Sequence, residues 1–186
     1  LALRRELNDH AGIADTLNNL GLLATDGGDY VRARALHEES LVIRRDLGDR
    51  PGLALSLNNL GDLALAEGDL ARAWDLHQEA FALRRALHDS RGVAYSHNNL
   101  GAVATRRGDA AAARPLLEEA LRLFGELGVK AGVAEAQTNL GRVALTQGES
   151  RRAGRAFATA LGLQAELGDL RGVAECLEGL AAVDDA

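Results

Sequence analysis

Cysteine occurs once in the 186 residues, at Cys176, so no intrachain disulfide can form. The lone thiol reads as a small buried apolar side chain. Proline occurs only at Pro51 and Pro115, which leaves long helices permitted. Aromatic residues make up 3% of the chain, too few for a core built on large rings; alanine and leucine, both good helix formers, dominate instead. No apolar run approaches the ~18 residues needed to span a bilayer, and the opening residues lack the pattern of a secretion signal. Lysine is nearly absent: Lys130 stands alone among arginines, a bias associated with GC-rich bacterial genomes. Also missing are Gly-x-Ser-x-Gly, Gly-x-x-x-x-Gly-Lys-Ser/Thr, His-Glu-x-x-His and Cys-x-x-Cys, so nothing offers a nucleophile with its base, a phosphate loop or a zinc site. The net charge of −6 makes the chain a poor non-specific ligand for nucleic acid. The expectation is a cytoplasmic, non-enzymatic protein without cofactor or metal, binding neither nucleic acid directly nor membrane.

What is present is a repeat. Gly12, Gly52, Gly92, Gly132 and Gly172 lie 40 residues apart, as do the Asn-Leu-Gly triplets at Asn19, Asn59, Asn99 and Asn139. Gly28, Gly68, Gly108 and Gly148 keep the same step, and so do Ala33, Ala73, Ala113 and Ala153. Residues 13–52 and 53–92 agree at 20 of 40 positions, which chance does not produce. Such a period is the mark of stacked supersecondary units that share one continuous core.

Each period predicts two helices, the first over about 11–26 and the second over about 30–47. Gly28-Asp29 separates them: glycine closes one helix in the left-handed conformation, and aspartate caps the next. The pair recurs at Gly68-Asp69 and Gly108-Asp109, then as the weaker Gly148-Glu149. Gly48-Asp49 separates one period from the next and recurs at Gly168-Asp169, loosely at His88-Asp89 and Gly128-Val129. Pro51 sits just inside a helix start, where its missing N–H costs nothing. Pro115, about six residues past Asp109, predicts a bent helix or one that begins a turn late.

The succession Asn-Leu-Gly, Ala, Gly-Asp and Ala resembles the tetratricopeptide repeat. Leu20, Gly21, Ala24, Gly28-Asp29, Ala33 and Ser40 fall at that family's signature positions, over nearly the whole chain. The second-helix aromatic is replaced by His37, His77 and Leu117, and the period of 40 exceeds the common 34. The longer form is similar to the repeats of G-protein-modulator and spindle adaptors, and to the C-terminal arrays of large bacterial transcriptional regulators. The resemblance implies an all-α, right-handed solenoid of antiparallel helix pairs. A single array over 1–186 would comprise a partial helix at 1–8, repeats at about 11–48, 51–88, 91–128 and 131–168, and a terminal helix at about 170–183. The chain opens within helix-forming residues and neither end carries an evident polar cap, so a piece of a longer protein is expected.

At about 100° per residue, Ile13, Leu17, Leu20 and Ala24 form one apolar stripe, with Gly21 beside it to admit the partner helix. The opposite stripe is Asp15, Asn18, Asn19, Leu22 and Asp26. The resemblance implies that this second stripe lines a concave groove. Across the copies it gives a row of Asn18, Asn58, Asn98 and Thr138 beside a row of Asn19, Asn59, Asn99 and Asn139. Varying neighbours include Asp62, Tyr95, Glu135 and Arg142. A primary amide can bond both N–H and C=O of a passing backbone, so such rows would hold an extended peptide without reading its sequence. In the family, an asparagine at the position of Asn19 commonly contacts bound peptide. The candidate partner-binding residues are therefore Asn18, Asn19, Asn58, Asn59, Asp62, Tyr95, Asn98, Asn99, Asn139 and Arg142. The other interpretation is that these amides bond one another as spacers. If the amides serve binding alone, Asn59→Ala with Asn99→Ala abolishes it at little cost in thermal stability.

His37 and His77 share one repeat position, so their spacing is inherited rather than metal-binding, and His97, in the place of Leu17 and Leu57, is a packing residue. The pairs Arg4-Arg5, Arg44-Arg45 and Arg84-Arg85 lie near second-helix C-termini, where cations suit the helix dipole, and are expected on a solvated face. The expected function is a scaffold for a protein or extended peptide in the groove. A regulatory sensor arm acting by intramolecular docking in a multidomain bacterial regulator is the alternative. A third is end-to-end self-association through exposed end helices.

Overall fold

The computed structural model describes residues 1–184 and is all-α: ten helices among those residues, packed as consecutive antiparallel pairs in the manner of a helical-repeat solenoid. The chain divides into two compact units, Leu1–His88 and Asp89–Ala186. The first unit holds α1 (Ala2–Glu6), α2 (His10–Asp26), α3 (Tyr30–Asp46), α4 (Arg50–Glu67) and α5 (Leu70–Ala86). The second holds α6 (Ser90–Arg106), α7 (Ala110–Glu126), α8 (Lys130–Thr146), α9 (Ser150–Leu167) and α10 (Leu170–Asp184).

The punctuation works as its chemistry requires. Asp29 and Asp69 accept from the backbone N–H of Arg32 and Arg72 at 3.1 and 3.0 Å. Asp49 accepts likewise from Gly52, and Asp109 from Ala112, each at 3.0 Å. Val129 and Glu149, where the aspartate is lost, make no side-chain cap. Between helices the chain turns through positive φ at Gly28, Gly48, Gly68, Gly108, Gly128, Gly148 and Gly168. At two equivalent places the residue is instead Asn8 (φ 53°) and His88 (φ 54°). Both side chains carry a Cβ that costs ~1–2 kcal/mol in this region relative to glycine. His88→Gly is therefore expected to raise stability by up to ~1 kcal/mol once the greater freedom of unfolded glycine is subtracted, read as a higher urea midpoint.

Pro115 does not delay its helix. α7 starts at Ala110, directly after the Asp109 cap. The carbonyl that Pro115 leaves without a helical donor belongs to Ala111, which is exposed, so water can serve it.

Close approach of paired helices depends on one glycine per repeat. A Cβ on Gly21 would stand 2.5 Å from the His37 ring, and one on Gly61 2.6 Å from His77. In the second unit Gly101 faces Leu117 at 2.5 Å and Gly141 faces Phe157 at 2.8 Å. The histidines thus fill the place that Phe157 fills in the last repeat. The second unit's core is built on Phe124 and Phe157 among alanines. The first is more polar: His37, Ser40, Ser56 and His77 are buried there, with Ser40 Oγ donating to the Ala14 carbonyl at 2.8 Å.

Within each unit the first helices of successive repeats touch, α2 on α4 and α6 on α8 on α10, whereas no Cα atoms of α3 and α5, or of α7 and α9, lie within 8 Å of each other. Arg72–Glu38 at 2.8 Å and Arg152–Glu118 at 2.9 Å span those wider gaps. The first helices therefore lie on the inner side of each unit. These exposed pairs contribute little stability individually.

Candidate functional site

The double asparagine of each first helix points to two destinations. In the first unit Asn59 Nδ2 donates to Asn18 Oδ1 at 2.7 Å, joining α4 to α2. In the second unit Asn139 Nδ2 donates to Asn98 Oδ1 at 3.1 Å, joining α8 to α6. All four are buried, Asn18 and Asn98 at 4% exposure, Asn59 and Asn139 at 8%. The first asparagine of one repeat is therefore bonded to the second asparagine of the next, as the spacer interpretation anticipates. Burial with a matched donor and acceptor explains why a mediocre helix former recurs here.

The remaining candidates stay nearer solvent. Asn19 is exposed. Asn58 is half-buried; its Nδ2 donates to Asp62 Oδ2 at 2.8 Å and its Oδ1 accepts from Arg84 Nη1 at 3.2 Å. Asp62 is exposed, and its Oδ1 stands 3.6 Å from His77 Nε2. Burial, then Arg84, holds the His77 pKa down to about 4, so at neutral pH the ring is uncharged and this contact is not an ion pair. Tyr95 packs its ring edge-on to Phe124 at 4.8 Å, while Asn99 is half-buried. Arg142 is exposed and donates to Asn139 Oδ1 at 3.1 Å and to Glu175 Oε2 at 3.0 Å. Asn98 Nδ2 also reaches Glu135 Oε2 at 3.5 Å. The Glu135 carboxyl still meets solvent, yet crowding, then Asp169 and Glu175, raise its pKa.

Two arginines differ from expectation. Arg44 and Arg84 are buried, not solvated. Arg44 Nη2 donates to Asp15 Oδ1 at 2.8 Å, and its Nη1 lies 3.8 Å from Asp49 Oδ2, over Gly52, whose missing Cβ makes the room. Phe124 and Gln164, buried at the same repeat position, lie over Gly132 and Gly172. That 40-residue register was the available signal: a position occupied by phenylalanine in one copy faces inward in the others. Cys176 is buried, 3.5 Å from Thr138 Oγ1. Among the described residues no three His, Cys, Asp or Glu side chains converge as metal ligands, and no helix is long and apolar enough to cross a membrane.

The amide bond makes a stability forecast for one candidate. Asn59→Ala leaves the buried Asn18 Oδ1 without its donor and should cost ~1–2 kcal/mol, whereas Asn19→Ala should change the urea midpoint hardly at all. The near-neutral double variant expected from the sequence is thus corrected at Asn59, because this amide holds two helices together.

The geometry described is that of a helical-repeat array whose members are typically non-catalytic, and the chain belongs to the tetratricopeptide repeat family: the model of that repeat matches residues 12–86 and 91–166. Among solved structures it is similar to BtubC (BKLC) from P. vanneervenii, with a TM-score of 0.78 and 22% identity over 98% of this chain and 76% of that one. It is also similar to a Podosopora anserina putative kinesin light chain with nearly identical TPR-like repeats, with a TM-score of 0.68 and 17% identity over 94% and 96%. Identities this low show the shared fold alone. Among curated proteins none matches the chain in sequence. Members of the family are generally protein-interaction scaffolds.

Proposed function

We propose that the chain holds an extended protein segment along the inner face of its first helices. The supporting observation is the division within each asparagine pair. In the first unit Asn18 and Asn59 are spent on each other, which fixes the spacing of α2 and α4, while Asn19, like Asp15 and Asp62, is exposed. In the second unit Asn98 and Asn139 play the fixing role, and Tyr95, Asn99 and Arg142 border them. Fixed spacing with the exposed Asn19 amide and mixed charges suits a segment recognised partly by its backbone and partly by its side chains. A peptide array probed with the chain, with Asn19→Ala and with Arg142→Ala tests this. Each variant is expected to weaken the strongest hits about ten-fold, ~1.4 kcal/mol, with an unchanged urea midpoint. Hits that both variants retain in full would defeat the proposal.

The long repeat favours one further possibility, a sensor arm of a bacterial regulator in which the same face receives a segment of the same polypeptide. Self-association through end helices draws support from the exposed Leu3, Leu7, Leu170 and Leu177. A light-scattering mass independent of concentration would remove the latter.

A further inference from the structure

On the opposite side of the second unit, α7, α8 and α9 enclose a cleft of about 300 Å³. Its apolar lining is Leu121, Leu140 and Ala156, and its polar lining includes Gln137, Arg155 and Thr159. The Arg152–Glu118 pair lies along it, as Arg72–Glu38 spans the same gap in the first unit.

Four departures from the repeat line this cleft. Ala156 stands where the other copies have Leu36, Leu76 and Leu116, which empties a leucine's volume. Gln137 stands where Leu17 and Leu57 are buried and His97 is half-buried. Thr159 replaces the glutamate found at Glu39, Glu79 and Glu119, and Arg155 replaces Ala35, Asp75 and Pro115. Together they exchange an apolar filling under an acidic rim for a hollow under a basic one. In the first unit the corresponding Leu57 and Leu60 are buried, whereas Leu140 is only half-buried.

Neither Arg155 nor Gln137 has a side-chain hydrogen bond or ion pair among the described residues, whereas the neighbouring Arg152 is paired with Glu118. Gln137 is half-buried, and a half-buried amide with nothing to bond is a donor and acceptor left for a ligand. An unpaired guanidinium over an apolar floor matches a carboxylate attached to an aliphatic group.

We propose that this cleft is a second binding site, on the outer face, for an acidic segment of a partner protein that inserts a leucine-sized side chain onto Leu121, Leu140 and Ala156 and sets a neighbouring carboxylate on Arg155. It is independent of the inner-face site, and either can fail without the other.

The test uses the isotope-labelled chain and a capped hexapeptide with Leu-Glu at its centre in a Gly/Ser background, followed by backbone amide shifts. The amides of Leu121, Gln137, Ala156 and Thr159 are expected to move, with the Leu-Gln peptide binding several-fold more weakly. Arg155→Gln and Ala156→Leu are each expected to weaken binding about ten-fold. Ala156→Leu merely restores the residue of the other three repeats, so a retained helical melt shows that the fold survives. Shifts confined to the inner face, none at up to ~5 mM peptide, or equal binding by Ala156→Leu would overturn the site. Binding of free 4-methylpentanoate but not of the peptide would overturn the protein partner in favour of a small carboxylate.

Discussion

Acidification is expected to unfold the first unit ahead of the second, with its stability falling by about 3 kcal/mol between pH 6.5 and about 4, and His77→Leu is expected to abolish most of that fall. His77 is fully buried, and burial, then Arg84, lowers its pKa from 6.5 to about 4. Below pH 6.5 the unfolded chain takes up a proton that the folded chain refuses. The unfolded state therefore gains about 1.36 kcal/mol for each further pH unit, until the folded ring also protonates near pH 4. The contribution is fully present above pH 6.5 and gone below about 4. His37, whose pKa burial also lowers, acts in the same direction. In the second unit the same repeat position is Leu117 or Phe157, which do not titrate.

Other groups also respond to acid, so the variant's difference from the parent carries the assignment. Hydrogen bonding from Arg122 depresses the Glu119 pKa, and that contribution too is lost on acidification, at lower pH. Glu135, with its raised pKa, works oppositely and becomes less unfavourable as it protonates. Leucine is tolerated at residue 77 because Leu117 already packs over Gly101 in the same arrangement. Trp74, the sole tryptophan, lies on α5 with His77, so urea titrations followed by its fluorescence report this unit. Equal pH dependence in parent and variant would show that His77 does not control the response.

The periodic residues made the helices legible because each punctuating residue has one dominant physical role. Aspartate caps where it is present, the caps fail where Val129 and Glu149 replace it, and glycine turns the chain through positive φ. The sequence spacing placed α2 over about 11–26, against His10–Asp26 observed. The amphipathic stripe was readable in part: Ile13 and Leu17 are buried, Leu20 and Ala24 half-buried. The site was legible only in part. Helical geometry put Asn18 and Asn19 on one stripe, but adjacent residues diverge by about 100°, enough for one to meet the next repeat while the other meets water. Which of them does so depends on the offset between neighbouring first helices, and no single repeat encodes that offset. Arg44 was misplaced for a related reason. Its charge suggested solvent, whereas the space over Gly52 and the carboxylate of Asp15 allow it to be buried. The cleft over Ala156 is recorded in the sequence only as a difference between copies, invisible to a search for what the copies share.

Gly101→Ala is expected to destabilise the second unit by ~2–3 kcal/mol, a large effect for one methyl group, because the added Cβ would meet Leu117 Cγ at 2.5 Å and Cδ2 at 2.6 Å. Leu117 is fully buried and cannot swing aside, so α6 and α7 must separate and weaken the packing along both helices. Leu117→Ala alone should cost ~2–5 kcal/mol by leaving a cavity. The two changes are complementary in volume, and the double variant should be more stable than the sum of the single losses by about 1 kcal/mol or more. Gly162→Ala gives the opposite sign: no atom lies within 4 Å of its added Cβ, α9 is helical there, and alanine should stabilise by ~1 kcal/mol. Hydrogen-exchange protection of α6 to α9 measures all four variants. Strict additivity of Gly101→Ala and Leu117→Ala would mean that the glycine is kept for helix flexibility and not for contact. A positive coupling would instead place the 40-residue glycine register at the contact between paired helices, where the first helix gives up its side chain so that the second can seat a larger one: His37, His77, Leu117 or Phe157 in turn.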